Sequence, residues 1–257
     1  SFKRHLLKLL PVLLLSILLS KYHWPTNASK TLTTVFAEER PNRYHAGIDV
    51  RTYGKSGYPL FAIEDGYVER IRISTKGYGR AVYLRLKDGN VALYAHLEKF
   101  SPDLEAAVTS LQIKKNKYSI DHSFEKGEHN YKRGETLGFT GDTGTISGPH
   151  LHFEIRNKDG QPINPLMEDG FQIKDSISPI PKLISFIPSD PKSTIDGVSM
   201  PRTLELIKHG NVYTSTDTLC LHNGFQIALS ADDLIDDQPF TFGLYMIDRG
   251  VYAGRQY

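Results

Sequence analysis

The stretch Gly148-Pro149-His150-Leu151-His152-Phe153-Glu154-Ile155 alternates polar and apolar side chains from His150 onward. Residues two apart in a strand point to the same face, about 7 Å from one another. His150, His152 and Glu154 then share one face, while Leu151, Phe153 and Ile155 share the other and can pack into a core. One strand offers two imidazoles to a cleft and anchors itself by its back. Leu151–Ile155 is read as a strand.

The neighbouring sequence continues in the same mode. Gly66-Tyr67-Val68-Glu69-Arg70-Ile71-Arg72-Ile73 alternates apolar and charged residues, the pattern of a half-buried strand. Ala81–Leu86 and Val91–His96 flank Lys87-Asp88-Gly89-Asn90, whose Asp-Gly pair predicts a hairpin turn. A short strand is expected at Thr31–Ala37. One helix interrupts, with Ser101 as its cap, Pro102 at its first position and Asp103 complementing its dipole; it should fade near Lys115. Residues 116–133 read as a loop or lid, and the whole stretch from Leu97 to Arg133 as a lid or groove wall. Gly134–Gly148 holds five glycines and reads as turns. Asp175–Pro191, rich in Ser, Pro and Ile, reads as a boundary. Beyond it, Thr203–Ile207, Phe225–Leu229 and Phe240–Ile247 suggest a small second β unit.

Composition limits the chemistry. The chain has 257 residues, 39 % hydrophobic and 23 % charged, which is globular usage. With 31 basic and 29 acidic residues the formal net charge is +2, which gives no support to nucleic-acid binding. One cysteine, Cys220, permits neither an internal disulfide nor a multi-cysteine metal site. A metal would have to be held by His, Asp or Glu. At the N-terminus, Lys3, Arg4 and His5 precede a 14-residue run, Leu6–Leu19, that is apolar except at Lys8, Pro11 and Ser16. That is shorter than the ~20 residues of a membrane span, and reads as a signal peptide or an uncleaved anchor over residues 1–20. The chain starts without Met and ends at Tyr257 without a closing signal, as a fragment would.

Two further features carry chemistry. In His45-Ala46-Gly47-Ile48-Asp49 an ideal strand would hold His45 and Asp49 about 13 Å apart, too far for one metal, and Gly47 is the residue that could supply a bend. His96 ends a strand in Tyr94-Ala95-His96-Leu97. Two His and one Asp would make three protein ligands with a fourth position open, the pattern of a catalytic rather than a structural zinc.

These segments resemble a known family. His45-x-x-x-Asp49, Tyr94-Ala95-His96-Leu97, Thr140-Gly141-Asp142-Thr143-Gly144 and Gly148-Pro149-His150-Leu151-His152-Phe153-Glu154 stand in the order and rough spacing of the lysostaphin-like M23 zinc endopeptidases. Gly134-Glu135-Thr136-Leu137-Gly138 and Ile163-Asn164-Pro165-Leu166 fit the flanks. The resemblance covers about residues 44–168. It implies that His45, Asp49 and His152 bind Zn2+, that His150 is the general base or proton shuttle, and that His96 stabilises an oxyanion and shares the proton work. His122 and His129 are expected to be solvated loop residues, and Glu154 to serve hydrogen bonding or strand pairing.

The expected fold is mainly β: an antiparallel peptidase domain over residues 21–174 with one helical insertion, then a small β-sandwich-like, immunoglobulin-like unit over residues 175–257, cut short at its end. The expected function is hydrolysis of peptide bonds in bacterial peptidoglycan by a secreted or membrane-anchored enzyme of the cell envelope. The rivals are a non-catalytic peptidoglycan-binding or hydrolase-regulating relative, an amidase cutting between sugar and peptide, and a zinc peptidase acting on proteins.

Overall fold

The computed structural model describes residues 20–248 and 250. All but the last residue of the expected signal or anchor therefore lies outside the described residues. Among the described residues no helix is long and apolar enough to cross a membrane. The chain divides into two compact units, residues 1–173 and 174–257.

The first unit is mainly β and antiparallel. Its large sheet runs, edge to edge, Leu32–Thr34, Ile48–Arg51, His150–Arg156, Val91–Ala95, Arg80–Leu86, Gly66–Ile73 and Ile120–Ser123. The alternation read from Gly66–Ile73 is physically expressed: Val68, Ile71 and Ile73 are buried while Arg72 is exposed. The register is not perfectly regular, since a bulge between Val68 and Arg70 shifts the pairing with Arg80–Leu86. The hairpin around Asp88-Gly89 pairs Val82 with Tyr94 and Leu84 with Ala92. A three-stranded sheet of Pro59–Phe61, Thr136–Thr140 and Leu97–Phe100 completes the unit. The core below the site is built on the back of the His150–Arg156 strand, where Leu151, Phe153 and Ile155 are fully buried. Phe153 stacks on Phe171 with ring centroids 5.2 Å apart and meets Tyr94 edge-on at 5.1 Å.

The helix spans Pro102–Lys115 and buries Leu104 and Val108. Ser101 sits at its N-cap position, but its hydroxyl does not cap; it pairs with the Tyr131 hydroxyl at 2.6 Å. Residues 116–133 are not a lid. Ile120–Ser123 and Asn130–Tyr131 pair with Gly66–Ile73 and close the far edge of the sheet. Arg70 holds Asp121 by two bonds of 2.7 and 2.6 Å there. The polarity that suggested a solvated loop is that of an edge strand with one wet face. Within the glycine-rich segment, Thr136–Thr140 forms a strand, because Gly138 lets the Lys99 carbonyl come as close as 2.7 Å to where a Cβ would stand.

In the second unit, Arg202–Glu205, Ile180–Pro188, Phe225–Leu234 and Thr241–Phe242 form an antiparallel sheet in that order. The Ile180–Pro188 strand lies inside the segment read as a boundary. Its prolines mislead: Pro181 falls at a bulge and Pro188 is the last residue of the strand, so neither interrupts regular pairing.

Candidate metal centre and its surroundings

The large sheet places the sequence-derived residues in one rank. His152 is paired with Asp49 on one side and with Ala95 on the other, so Asp49 and His152 project from adjacent strands on the same face. His45 joins them from outside the strand, which begins only at Ile48. The chain turns in through Gly47, where an added Cβ would lie 2.1 Å from the Phe153 carbonyl oxygen and 2.9 Å from Glu154 Cγ. Only glycine fits that approach, and with His45 outside the strand line its Nε2 comes within 3.2 Å of Asp49 Oδ1.

Three ligand atoms converge. His152 Nδ1 lies 2.9 Å from Asp49 Oδ1 and 3.0 Å from His45 Nε2. The outer ring nitrogens define the tautomers. His45 Nδ1 donates to the Val35 carbonyl at 2.8 Å, and His152 Nε2 donates to Glu154 Oε1 at 2.9 Å. Neutral rings bonded in this way turn both remaining lone pairs toward the Asp49 carboxylate. Three acceptors within 4.8 Å of one another, none more than 9 % exposed, need a cation between them. Two nitrogens and one carboxylate oxygen are a donor set that zinc takes with one position left open.

The carboxylates behind the site set its charge. Burial opposes the charge on Asp49, yet the bonds from His152 and His45 hold its carboxyl well below the usual range. Burial likewise opposes protonation of His152, but Asp49 and Glu154, one on each nitrogen, raise it to about 9. Without a metal, a proton fills the cation's place. Glu154 is fully buried and also takes the Tyr78 hydroxyl and the Arg156 Nε, the latter at 2.7 Å. Burial would raise its carboxyl, but His152, Tyr78 and Arg156 together bring it below its ordinary value.

His150 and His96 stand on the open side of the cluster. Their ring centroids are 4.9 Å apart, and that of His96 is 5.9 Å from His152. His150 Nδ1 donates to the Gly148 carbonyl at 3.0 Å, leaving Nε2 as an acceptor 3.7 Å from Asp49 Oδ1. His96 sits where the chain passes from the large sheet to the small one, with a φ of 64° that a non-glycine residue adopts at a cost. Its Nδ1 donates to the Thr143 carbonyl at 2.9 Å. Burial, with His150 and His152 adding to it, pushes His96 down to about 4, so the ring is neutral at pH 7. Thr143 is held by its hydroxyl to the Leu97 carbonyl, and the turn packs against Gly79, where a Cβ would meet Thr143 at 2.4 Å.

The cluster floors a groove of about 950 Å³. None of residues 97–133 lines it. His122 and His129 lie at the sheet edge, stacked edge-on against Phe124 at 4.8 and 4.5 Å. Sequence reasoning gave no site role to Val35, Tyr78 or Thr143. Two act through backbone carbonyls, which no side-chain pattern reveals, and Tyr78 acts through Glu154.

Residues 119–165 match the family model for Peptidase family M23. Over 124 residues the chain is 36 % identical to the DD-carboxypeptidase/endopeptidase Mpg of Neisseria meningitidis serogroup B, covering 48 % of this chain and 22 % of that protein. Over 99 residues it is 29 % identical to the peptidoglycan DD-endopeptidase ShyC of Vibrio cholerae, covering 38 % of this chain and 17 % of that one. The chain thus spans about a fifth of the length of these curated relatives. A solved zinc-containing peptidase from Vibrio cholerae aligns with a TM-score of 0.42 at 22 % identity, covering 60 % of this chain and 41 % of that one. The unit that holds His45, Asp49 and His152 contains the segment, residues 119–165 with His152 inside it, that is similar to Peptidase family M23.

Proposed function

We propose that this chain is a zinc metalloendopeptidase that hydrolyses peptide bonds of bacterial peptidoglycan in the cell envelope. The observation that carries the reading is the convergence of His45 Nε2, Asp49 Oδ1 and His152 Nδ1, with two further imidazoles on its open side. The match of residues 119–165 to Peptidase family M23 and the peptidoglycan endopeptidases among the relatives support the substrate class. The basic head and apolar run at the N-terminus support export.

His45, Asp49 and His152 would hold zinc, which would supply Lewis acidity to activate water and polarise a carbonyl. The protein's own groups do the rest. His150 Nε2, free to accept, takes the proton of the attacking water and returns it to the leaving nitrogen as the C–N bond breaks. The oxyanion role expected of His96 needs an Nε2–H. With Nδ1–H given to Thr143 and the ring neutral, Nε2 is an acceptor at rest. His96 would donate to an oxyanion only in the tautomer that moves its ring hydrogen from Nδ1, where the Thr143 carbonyl holds it, to Nε2. We place the second unit as an immunoglobulin-like module for docking or spacing, on the strength of its antiparallel sheet.

Turbidity clearance of purified peptidoglycan by the zinc-loaded chain, beside an equally zinc-loaded His150→Ala protein, tests the reading. Clearance by the wild type alone is expected. A folded, zinc-loaded wild type that leaves the wall intact while digesting casein would move the reading to a protein-directed peptidase.

A further inference from the structure

The groove has a charge pattern that peptide hydrolysis itself does not require. Its described lining includes three arginines, Arg40, Arg43 and Arg72, against one acidic side chain, the ligand Asp49. The whole chain is nearly balanced, at 31 basic and 29 acidic residues, so this imbalance is local. Arg40 is engaged: it donates to Thr34 Oγ1 at 3.0 Å and lies 3.8 Å from the carboxylates of both Glu38 and Asp49. Arg43 and Arg72 differ. Both are exposed, and among the described residues no side-chain hydrogen bond or ion pair holds either one. Asp121, the strand partner of Arg72, is taken up by Arg70.

Their positions flank the metal-ligand cluster. Arg43 lies on the Glu39–Arg40/Arg43–Tyr44 hairpin, two residues before the ligand His45. That hairpin is tied by Arg40 to Thr34, at the Leu32–Thr34 edge of the sheet. Arg72 lies on the other side, three strands from His152. Its pairing with Ala81, and that of His152 with Ala95, set Arg72 on the same rank and face. Three strand spacings are about 14 Å, the reach of roughly four extended residues.

We infer that the groove selects an extended peptide with free carboxylates on both sides of the bond it cuts, one bound by Arg43 and the other by Arg72. This rests on the peptidase reading for the nature of the ligand and narrows its substrate class to acidic peptides. Both arginines are solvent-facing, so each should contribute modestly, about fivefold in affinity, and salt should weaken the preference.

The test uses the zinc-loaded chain in a His150→Ala background, so that binding is read without turnover. Fluorescence anisotropy compares one labelled peptide bearing free carboxylates with the same peptide as its carboxamides. The acid form should bind at least fivefold tighter. Arg43→Gln and Arg72→Gln should each remove about a fivefold share, each for one carboxylate only, and 0.5 M salt should shrink the difference. Equal binding of the two peptides, or affinities untouched by both substitutions, overturns the inference and leaves the peptidase reading standing. A carboxylate preference lost in the variants, with no cleavage of either peptide by wild type, supports the charge reading and removes the peptidase one.

Discussion

Replacing Glu154 with Gln should weaken zinc binding without touching a ligand. Glu154 offers two oxygens to three donors. Oε1 takes His152 Nε2–H and the Tyr78 hydroxyl, and Oε2 takes the Arg156 guanidinium. Gln has the same shape but one acceptor oxygen and an NH2, so in either orientation an N–H faces a donor. If the oxygen stays with His152, the pair with Arg156 is lost inside a site where Glu154 is 0 % exposed. If it turns to Arg156, the ring of His152 loses its orienting acceptor. Losing such a partner costs about 10–100-fold in metal affinity. Breaking the pair with Arg156, whose side chain is 28 % exposed, should also lower unfolding stability by about 1–3 kcal/mol. Competition against a chromophoric chelator gives the zinc Kd, and urea unfolding of the metal-free protein gives the stability. Tyr78→Phe, which removes one of the three donors, should show a smaller effect on both. A Glu154→Gln protein with a zinc Kd within twofold of wild type would refute the idea that Glu154 orients His152.

His152→Ala should lose metal and activity together, whereas His150→Ala should keep one zinc and lose roughly 100–10,000-fold in kcat, read by metal analysis and peptide cleavage. Gly47→Ala should destabilise by at least about 2 kcal/mol, because its Cβ would stand 2.1 Å from the Phe153 carbonyl; an unchanged urea midpoint would show that the strand pair yields easily. In the metal-free protein His152 titrates near 9, above the ~6.5 of an unfolded His. Its contribution is therefore complete below pH 6.5 and lost as pH rises through 9. Urea midpoints should fall across that window with chelator present, and a His152→Gln protein should be flatter there.

Much of this architecture was legible because period and burial coincide. Gly66–Ile73 and His150–Arg156 each bury one face, so alternation announced them. The Asp88-Gly89 turn marked its hairpin, and Pro102 the helix start. The ligand cluster was legible as residue types, but its closure depends on Gly47 carrying His45 out of the strand line, a contact with the Phe153 carbonyl that is 106 residues away in sequence. The Ile180–Pro188 strand and the Ile120–Ser123 edge escaped for a shared reason: prolines and charges stood where pairing or core contact was incomplete, and composition alone cannot distinguish a sheet edge from a loop. Glu154 was placed on the site face without its donors, since Tyr78 and Arg156 reach it only through tertiary packing.

The most direct test of the account is mass spectrometry of a purified, cross-linked peptidoglycan fragment incubated with the zinc-loaded chain. The account predicts one bound zinc and products that gain one water at a peptide bond and expose a new amino terminus, absent with His150→Ala at equal zinc content. Free sugar-lactyl ends without new peptide amines, or a folded wild type that binds no zinc, would contradict it.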